Sequence, residues 1–236
     1  MAIDDLPMPV VTFLNVIGVP WPYVNEDTVS EFASLVRRFG QAVETTHRDA
    51  TQRVQGIAAA YQSTASARMV DGWQKMSDTH VTEIVDGCEV LAGALDVAAA
   101  YIVTQKGIAL AELVGMASAF AADQVAAVVT LGLAEAAAPV IIAAGKRLME
   151  SLLLDLEQHL IATVANAALE PLMAKVDAAV AGLDWSQSGA EGPAGDGKVE
   201  LNADDARGHA MALDWTAAEM RGHAQTFAAG IRALQF

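Results

Sequence analysis

Five histidines, one cysteine and two aromatic-x-x-x-acid spacings are the residues of this chain whose types could do chemistry. The histidines are His47, His80, His159, His209 and His223. No two of them, and no histidine and cysteine, stand three or four residues apart, the helix-face spacing that holds a metal ion. His209 and His223 are two heptads apart, roughly 21 Å along a helix, too far to share one ion. Cys88 is alone, so an intrachain disulfide is excluded. It falls on an apolar seam and reads as a small core residue, since a reactive thiol needs exposure and positive charge nearby. Gly192-Pro-Ala-Gly-Asp-Gly197 has the composition of a phosphate loop but neither a strand before it nor a Gly-Lys-Ser/Thr ending. No catalytic triad, metal site or cofactor site is expected. Tyr23-x-x-x-Asp27 and Trp215-x-x-x-Glu219 each put an aromatic ring and a carboxylate on one helix face.

The elements that must carry these residues are helices. Hydrophobic residues make up 53% of the 236, Ala is abundant, and alternating apolar runs are few, so the chain reads as all-α. Val29, Phe32, Val36, Phe39 and Val43 recur at heptad spacing. Val70, Trp73, Ser77, Val81, Ile84, Cys88, Leu91 and Leu95 do so again. A third seam runs from Ala206 through Ala210, Leu213, Ala217, Met220, Ala224, Phe227, Ile231 and Leu234. Such seams must be buried against another helix. Leu213, Met220, Phe227, Ile231 and Leu234 are the expected packing seam for a partner.

The expected order is a short helix over Val10–Val16 capping one end of a bundle, then a long hairpin. Its first arm starts near Asn25 with acids in the first turn and reaches about Tyr61, carrying Gly40 and Gly56. Tyr61-Gln62-Ser63-Thr64-Ala65-Ser66 forms the turn, and the second arm runs from about Ser66 to Thr104. Tyr61, Ser63 and Trp73 mark this tip as a recognition surface. Residues 107–145 are strongly apolar, interrupted by Glu112, Asp123 and Glu135, with Pro139 kinking or ending the helix. Their charge-free stretches are too short to span a bilayer. A further helix follows to Leu183, bent at Pro171. The division is thus a helical bundle domain over 1–183, a Gly/Ser/Pro-rich linker over 184–200, and a C-terminal amphipathic helix over 201–236. The architecture expected is an elongated bundle built on the antiparallel hairpin, with the heptad helix tethered by the linker.

The net charge of −15 excludes nucleic acid as the natural partner and disfavours an anionic membrane. The N-terminus carries two Asp and no Lys or Arg before its apolar stretch, so it does not read as a general secretory signal.

These features together resemble one group. The opening LPMPVVTFLNVIGVPWPYVNEDTV, the passage AYIVTQKGIALAELV into the apolar middle, and the terminal LNADDARGHAMALDWTAAEMRGHAQTFAAGI carry the resemblance. It is to the WxG-like N-terminal domain of actinobacterial polymorphic toxins, substrates of the type VII secretion system. The last helix resembles the start of a second WxG-like unit. The family's Trp-x-Gly turn falls on Tyr61-Gln62-Ser63, which keeps an aromatic and a small residue. Its Tyr-x-x-x-Asp/Glu export signal falls near Tyr101-Ile-Val-Thr-Gln105, where Gln replaces the acid. The resemblance implies a non-enzymatic leader or adaptor without cofactors. It would pair with a helical partner, meet the secretion ATPase in the cytoplasm, and target a C-terminal toxin for export to the medium or envelope. Tyr101, Gln105, Trp215 and Glu219 are the residues expected to serve as the export signal. A membrane-inserting pore formed by 107–145 and a self-assembling scaffold, a homo-oligomer, are the alternatives.

Overall fold

The computed structural model describes residues 5–22, 24–77, 81–129, 137–181 and 200–234. The protein is all-α, with one very short antiparallel ladder. In order come α1 (Met8–Ile17), α2 (Glu26–Ala60), β1 (Tyr61–Gln62), α3 (Thr64–Met76) and α4 (Thr82–Val129). Then come α5 (Ala138–Leu160), a π-helical stretch (Ile161–Leu169), α6 (Glu170–Ala181), β2 (Glu200–Leu201) and α7 (Ala203–Ala233). The expected linker at 184–199, His80 and Tyr23 lie outside the described residues.

Helix boundaries follow local chemistry. α1 begins behind Pro7 and ends where Gly18 takes φ 70°, its N–H returning to the Leu14 carbonyl at 2.9 Å. Asn25 caps α2: its Oδ1 accepts from the N–H groups of Asp27 (2.9 Å) and Thr28 (3.2 Å). At the hairpin turn Ser63 and Ser66 form a reciprocal capping box, each hydroxyl accepting the other's backbone N–H at 3.1 Å. Asn202 caps α7, whose first turn holds Asp204 and Asp205.

Two expected boundaries differ. The second arm does not stop near Thr104; α4 continues through Gly107 as one 48-residue helix. A mid-helix Gly costs only about 1 kcal/mol, and burial of Ile102, Ala109 and Leu113 on either side outweighs it. The helix expected from Val140 to Leu183 passes into the π-helical stretch before Pro171, which lies in the first turn of α6. Pro139 stands in the first turn of α5, where its missing N–H is not needed.

The chain divides into two compact units. The first comprises the described residues of 1–31 and 94–165. Its core is built from Val10, Phe13 and Ile17 of α1, Ile102 and Leu113 of α4, and Met149 and Leu156 of α5. Phe13 meets Phe120 at 5.6 Å with rings tilted by 50°, and its ring edge lies over Gly145. A Cβ on Gly145 would stand 2.9 Å from that ring, so α1 and α5 approach closely because this position has no side chain.

The second unit comprises the described residues of Phe32–Gly93 and Asn166–Leu234. Here α2 buries Ala33, Val36, Gly40, Val43, Ala50 and Val54. Val36 and Val43 belong to the expected seam, but its other half is Ala33 and Gly40 rather than Phe32 and Phe39. Gly40 lets Cys88 of α4 approach to 3.0 Å of where a Cβ would stand. Cys88 is itself buried, and burial pushes its thiol pKa up. Leu172 of α6 covers Gly87 in the same way. α7 lies against α2: Phe227 stacks on Phe39 at 4.7 Å, and Leu35 packs where a Cβ on Gly230 would be.

Candidate interaction surfaces

The hairpin tip is built from backbone pairing. Tyr61 pairs with Leu201 and Gln62 with Glu200, and the Asn202 N–H donates to the Ala60 carbonyl at 2.8 Å. Tyr61 is half-buried there, and Ser63 is occupied as the cap of α3. Trp73 is not at the tip. It stacks on His47 at 5.4 Å, and its indole N–H donates to Thr51 Oγ1 at 2.9 Å, fastening α3 to α2. His47 also meets the Ser77 hydroxyl. Of the three residues expected as a recognition tip, all are engaged within the second unit.

The face that α7 turns inward was only half legible. Leu213, Met220, Phe227 and Leu234 are half-buried, while Ile231 is exposed. The other half of the inward seam is His209, Thr216, His223 and Gly230, in place of Ala210, Ala217, Ala224 and Ile231. The His223 Nε2 is hydrogen-bonded to the buried Thr46 hydroxyl at 2.9 Å. The His209 ring occupies the space over Gly56, within 2.5 Å of a Cβ position there. A hollow of about 610 Å³ opens beside it, lined by Gly56, Gln62, Asn202, Asp205 and His209 among others. Among the described residues no three His, Cys, Asp or Glu side chains gather as metal ligands would.

The two aromatic-x-x-x-acid positions differ in accessibility. Trp215 is 80% exposed, and Glu219, one turn on, is exposed on the same side of α7. Met211, one turn back, is also exposed, so the indole sits in a small apolar patch. Tyr101 is half-buried and engaged in the first unit. Its hydroxyl donates to Asp155 Oδ2 of α5 at 2.5 Å, and its ring stacks on His159 at 3.6 Å. Asp155 holds the phenol pKa above its usual value through this hydrogen bond, with smaller help from desolvation and charge; Gln105 opposes it. A carboxylate therefore does stand beside Tyr101, supplied by the neighbouring helix.

The feature that sequence reasoning missed is the ion pair of Lys106 and Glu26. Lys106 Nζ donates to Glu26 Oε2 at 2.9 Å with both side chains sealed from solvent. The signal was present: Lys106 is the single cation among the residues of α4, on the same helix edge as Ile102 and Leu113. Glu112 is exposed, whereas Asp123 is half-buried with one oxygen lacking a partner among the described residues. Over Thr82–Ala126, α4 is long and apolar enough to cross a membrane.

A capped helical hairpin whose arms pack against each other and against α6 and α7 defines a helix-packing protein. A family model, the WXG100-like domain, matches residues 5–146, more than half of the chain. The protein belongs to the WXG100-like family, whose members are helical proteins secreted by type VII systems and typically paired with helical partners. No curated protein and no solved structure matches it.

Proposed function

We propose that this chain is a non-enzymatic export leader or adaptor of a type VII secretion system. It is met in the cytoplasm by the secretion ATPase, pairs with a small helical partner, and carries a C-terminal passenger, a toxin in an actinobacterial setting, to the medium or envelope. The observation that carries this reading is the WXG100-like match across the hairpin and the apolar middle. The exposed Trp215 and Glu219 support a recognition element on α7, because a bare indole beside a carboxylate can anchor a partner. Tyr101 with Asp155 is the second such pair, assembled from two helices.

The test is export of a reporter fused after Phe236, in an actinobacterial host with and without its type VII ATPase. ATPase-dependent reporter in the medium is expected. Retention in both strains, even with the neighbouring genes co-expressed, rejects the reading.

A pore is the second reading, favoured by the length and apolarity of α4. Glu112 within that helix would be costly at mid-bilayer. Dye release from liposomes by the purified chain would support the pore, and intact liposomes would support the adaptor.

A further inference from the structure

Within the second unit, α7 is held lightly for its length. None of its 31 residues is buried, whereas α1, with ten, seals Val10, Phe13, Leu14 and Ile17. The large apolar side chains of its inward seam, Leu213, Met220 and Phe227, alternate with His209, Thr216 and His223. A helix keeps its place chiefly by the apolar area it buries, so an element that buries little opens at low free energy.

The two ends of α7 are held differently. At its start the β1–β2 ladder, and the Asn202 N–H on the Ala60 carbonyl, tie it to the hairpin tip by backbone bonds. Towards its end the hold is side-chain packing. The Phe227 ring lies on Phe39 at 4.7 Å, and Leu35 fills the space that Gly230 leaves. The α2 surface beneath also tolerates water. Thr46 lies in its sealed row with Val43 and Ala50, and its hydroxyl is hydrogen-bonded to His223 Nε2 at 2.9 Å. Lifting α7 lets water replace each partner of that bond, so the pair loses little. The close contact of Gly40 on α2 with Cys88 on α4 is apolar and has no such compensation.

The seam that α7 leaves fixes what can follow it. Phe39 takes an aromatic ring, Leu35 needs glycine three positions further on, and Thr46 takes a hydrogen-bonding group one turn before the ring. We propose that α7 is a displaceable strap. Pinned at the tip, it lifts from α2 while the α2–α4 contact stays closed, and yields Leu35, Phe39 and Thr46 to a partner's helix that repeats its inward pattern. This rests on the reading of the chain as an adaptor that takes a helical partner, and names the face that receives it and the segment that guards it.

The probe is a fluorescein-labelled peptide with the sequence of residues 203–233, titrated into the full chain by anisotropy. Saturable binding is expected, weakened by the fraction of chains in which α7 is closed. Phe227→Ala in the chain removes the latch and should tighten that binding about tenfold. Leu35→Cys with Gly230→Cys, in a Cys88→Ala background, should lock the strap, since Leu35 Cγ stands 3.5 Å from the Cβ position of Gly230. The locked chain should bind the peptide at least about tenfold more weakly, and reductant should restore binding. By hydrogen exchange, α7 amides should exchange about 100-fold or more faster than those of α2 around Val43–Ala50, and slow when locked. Exchange of α7 and α2 at one rate would overturn the proposal, as would no peptide binding even to Phe227→Ala, or equal binding to locked and reduced chains. A mass that rises with concentration and stays monomeric when locked would give the face to α7 of a second copy and overturn the partner named here. ATPase-dependent export persisting alongside a negative peptide result would sink this inference alone and leave the adaptor reading standing.

Discussion

Lys106 and Glu26, eighty residues apart in sequence, meet as a closed ion pair inside the first unit at 2.9 Å. Glu26 is the first residue of α2, where the helix dipole also favours a carboxylate, and Lys106 reaches it from the middle of α4. Burying two charges gains little over an apolar pair, but removing one takes from the buried other its counter-charge at 2.9 Å. Lys106→Met is therefore expected to cost about 3–5 kcal/mol in denaturant unfolding. The double variant Glu26→Gln/Lys106→Met should recover much of that loss. Equal destabilisation by single and double variants would show that the ammonium matters through packing and not through charge.

How much of this was legible in the sequence depends on residue size. The helical class and the run Cys88, Leu91, Leu95 could be read because large apolar residues at regular spacing fall on buried edges, and the α2–α3 turn because Ser63 and Ser66 are capping residues that break that spacing. The phases of α2 and α7 were half wrong for the opposite reason. Their close-approach positions are Ala33, Gly40, His209 and Gly230, small or polar residues that hydrophobicity scores pass over. What fixes them is the partner surface: the Cys88 side chain needs the space at Gly40, and Leu35 needs it at Gly230. The Tyr101–Asp155 contact could not be read either, because nothing local pairs residues fifty-four apart. The resemblance to a WxG-like domain agrees with the family match over 5–146.

The same dependence on space predicts opposite outcomes for one substitution at two glycines. Gly145→Ala would press a methyl group against the Phe13 ring, which is 1% exposed and held by Phe120. Overpacking of this kind costs about 1–3 kcal/mol, more than the roughly 1 kcal/mol that Ala gains over Gly in a helix. Gly115→Ala meets nothing and should keep that gain. Thermal unfolding is expected to fall for the first and rise or hold for the second. A shift in the same direction for both would contradict the packing described for α1 on α5.

Tyr101 gives a pH prediction. Its folded-state pKa lies above the ordinary value of 10.0, chiefly because the phenol hydrogen-bonds to Asp155. The protonated phenol is the form that the fold favours. The stability linked to it is present below pH 10, the unfolded value, and is lost as pH rises through the higher folded one. In a chain with Tyr23→Phe and Tyr61→Phe, phenolate absorbance should appear at higher pH when folded than when denatured. Asp155→Asn should bring the folded titration down towards the denatured one. Coincident folded and denatured curves before that change would rule out the contact in solution.

Trp215 separates a recognition role from a structural one. Its side chain is 80% exposed, so deleting it removes almost no buried area. Trp215→Ala should leave the unfolding midpoint within a few degrees of the parent. Collisional quenchers should reach this indole more readily than Trp21, which is buried. If the exposed ring and Glu219 form the recognition element, export of the fused reporter should fall sharply in Trp215→Ala while the fold holds. Glu219→Gln should reduce it less, and Tyr101→Phe should show whether the second aromatic–carboxylate pair shares the task. Export unchanged in Trp215→Ala together with loss in Tyr101→Phe would move the signal to the first unit.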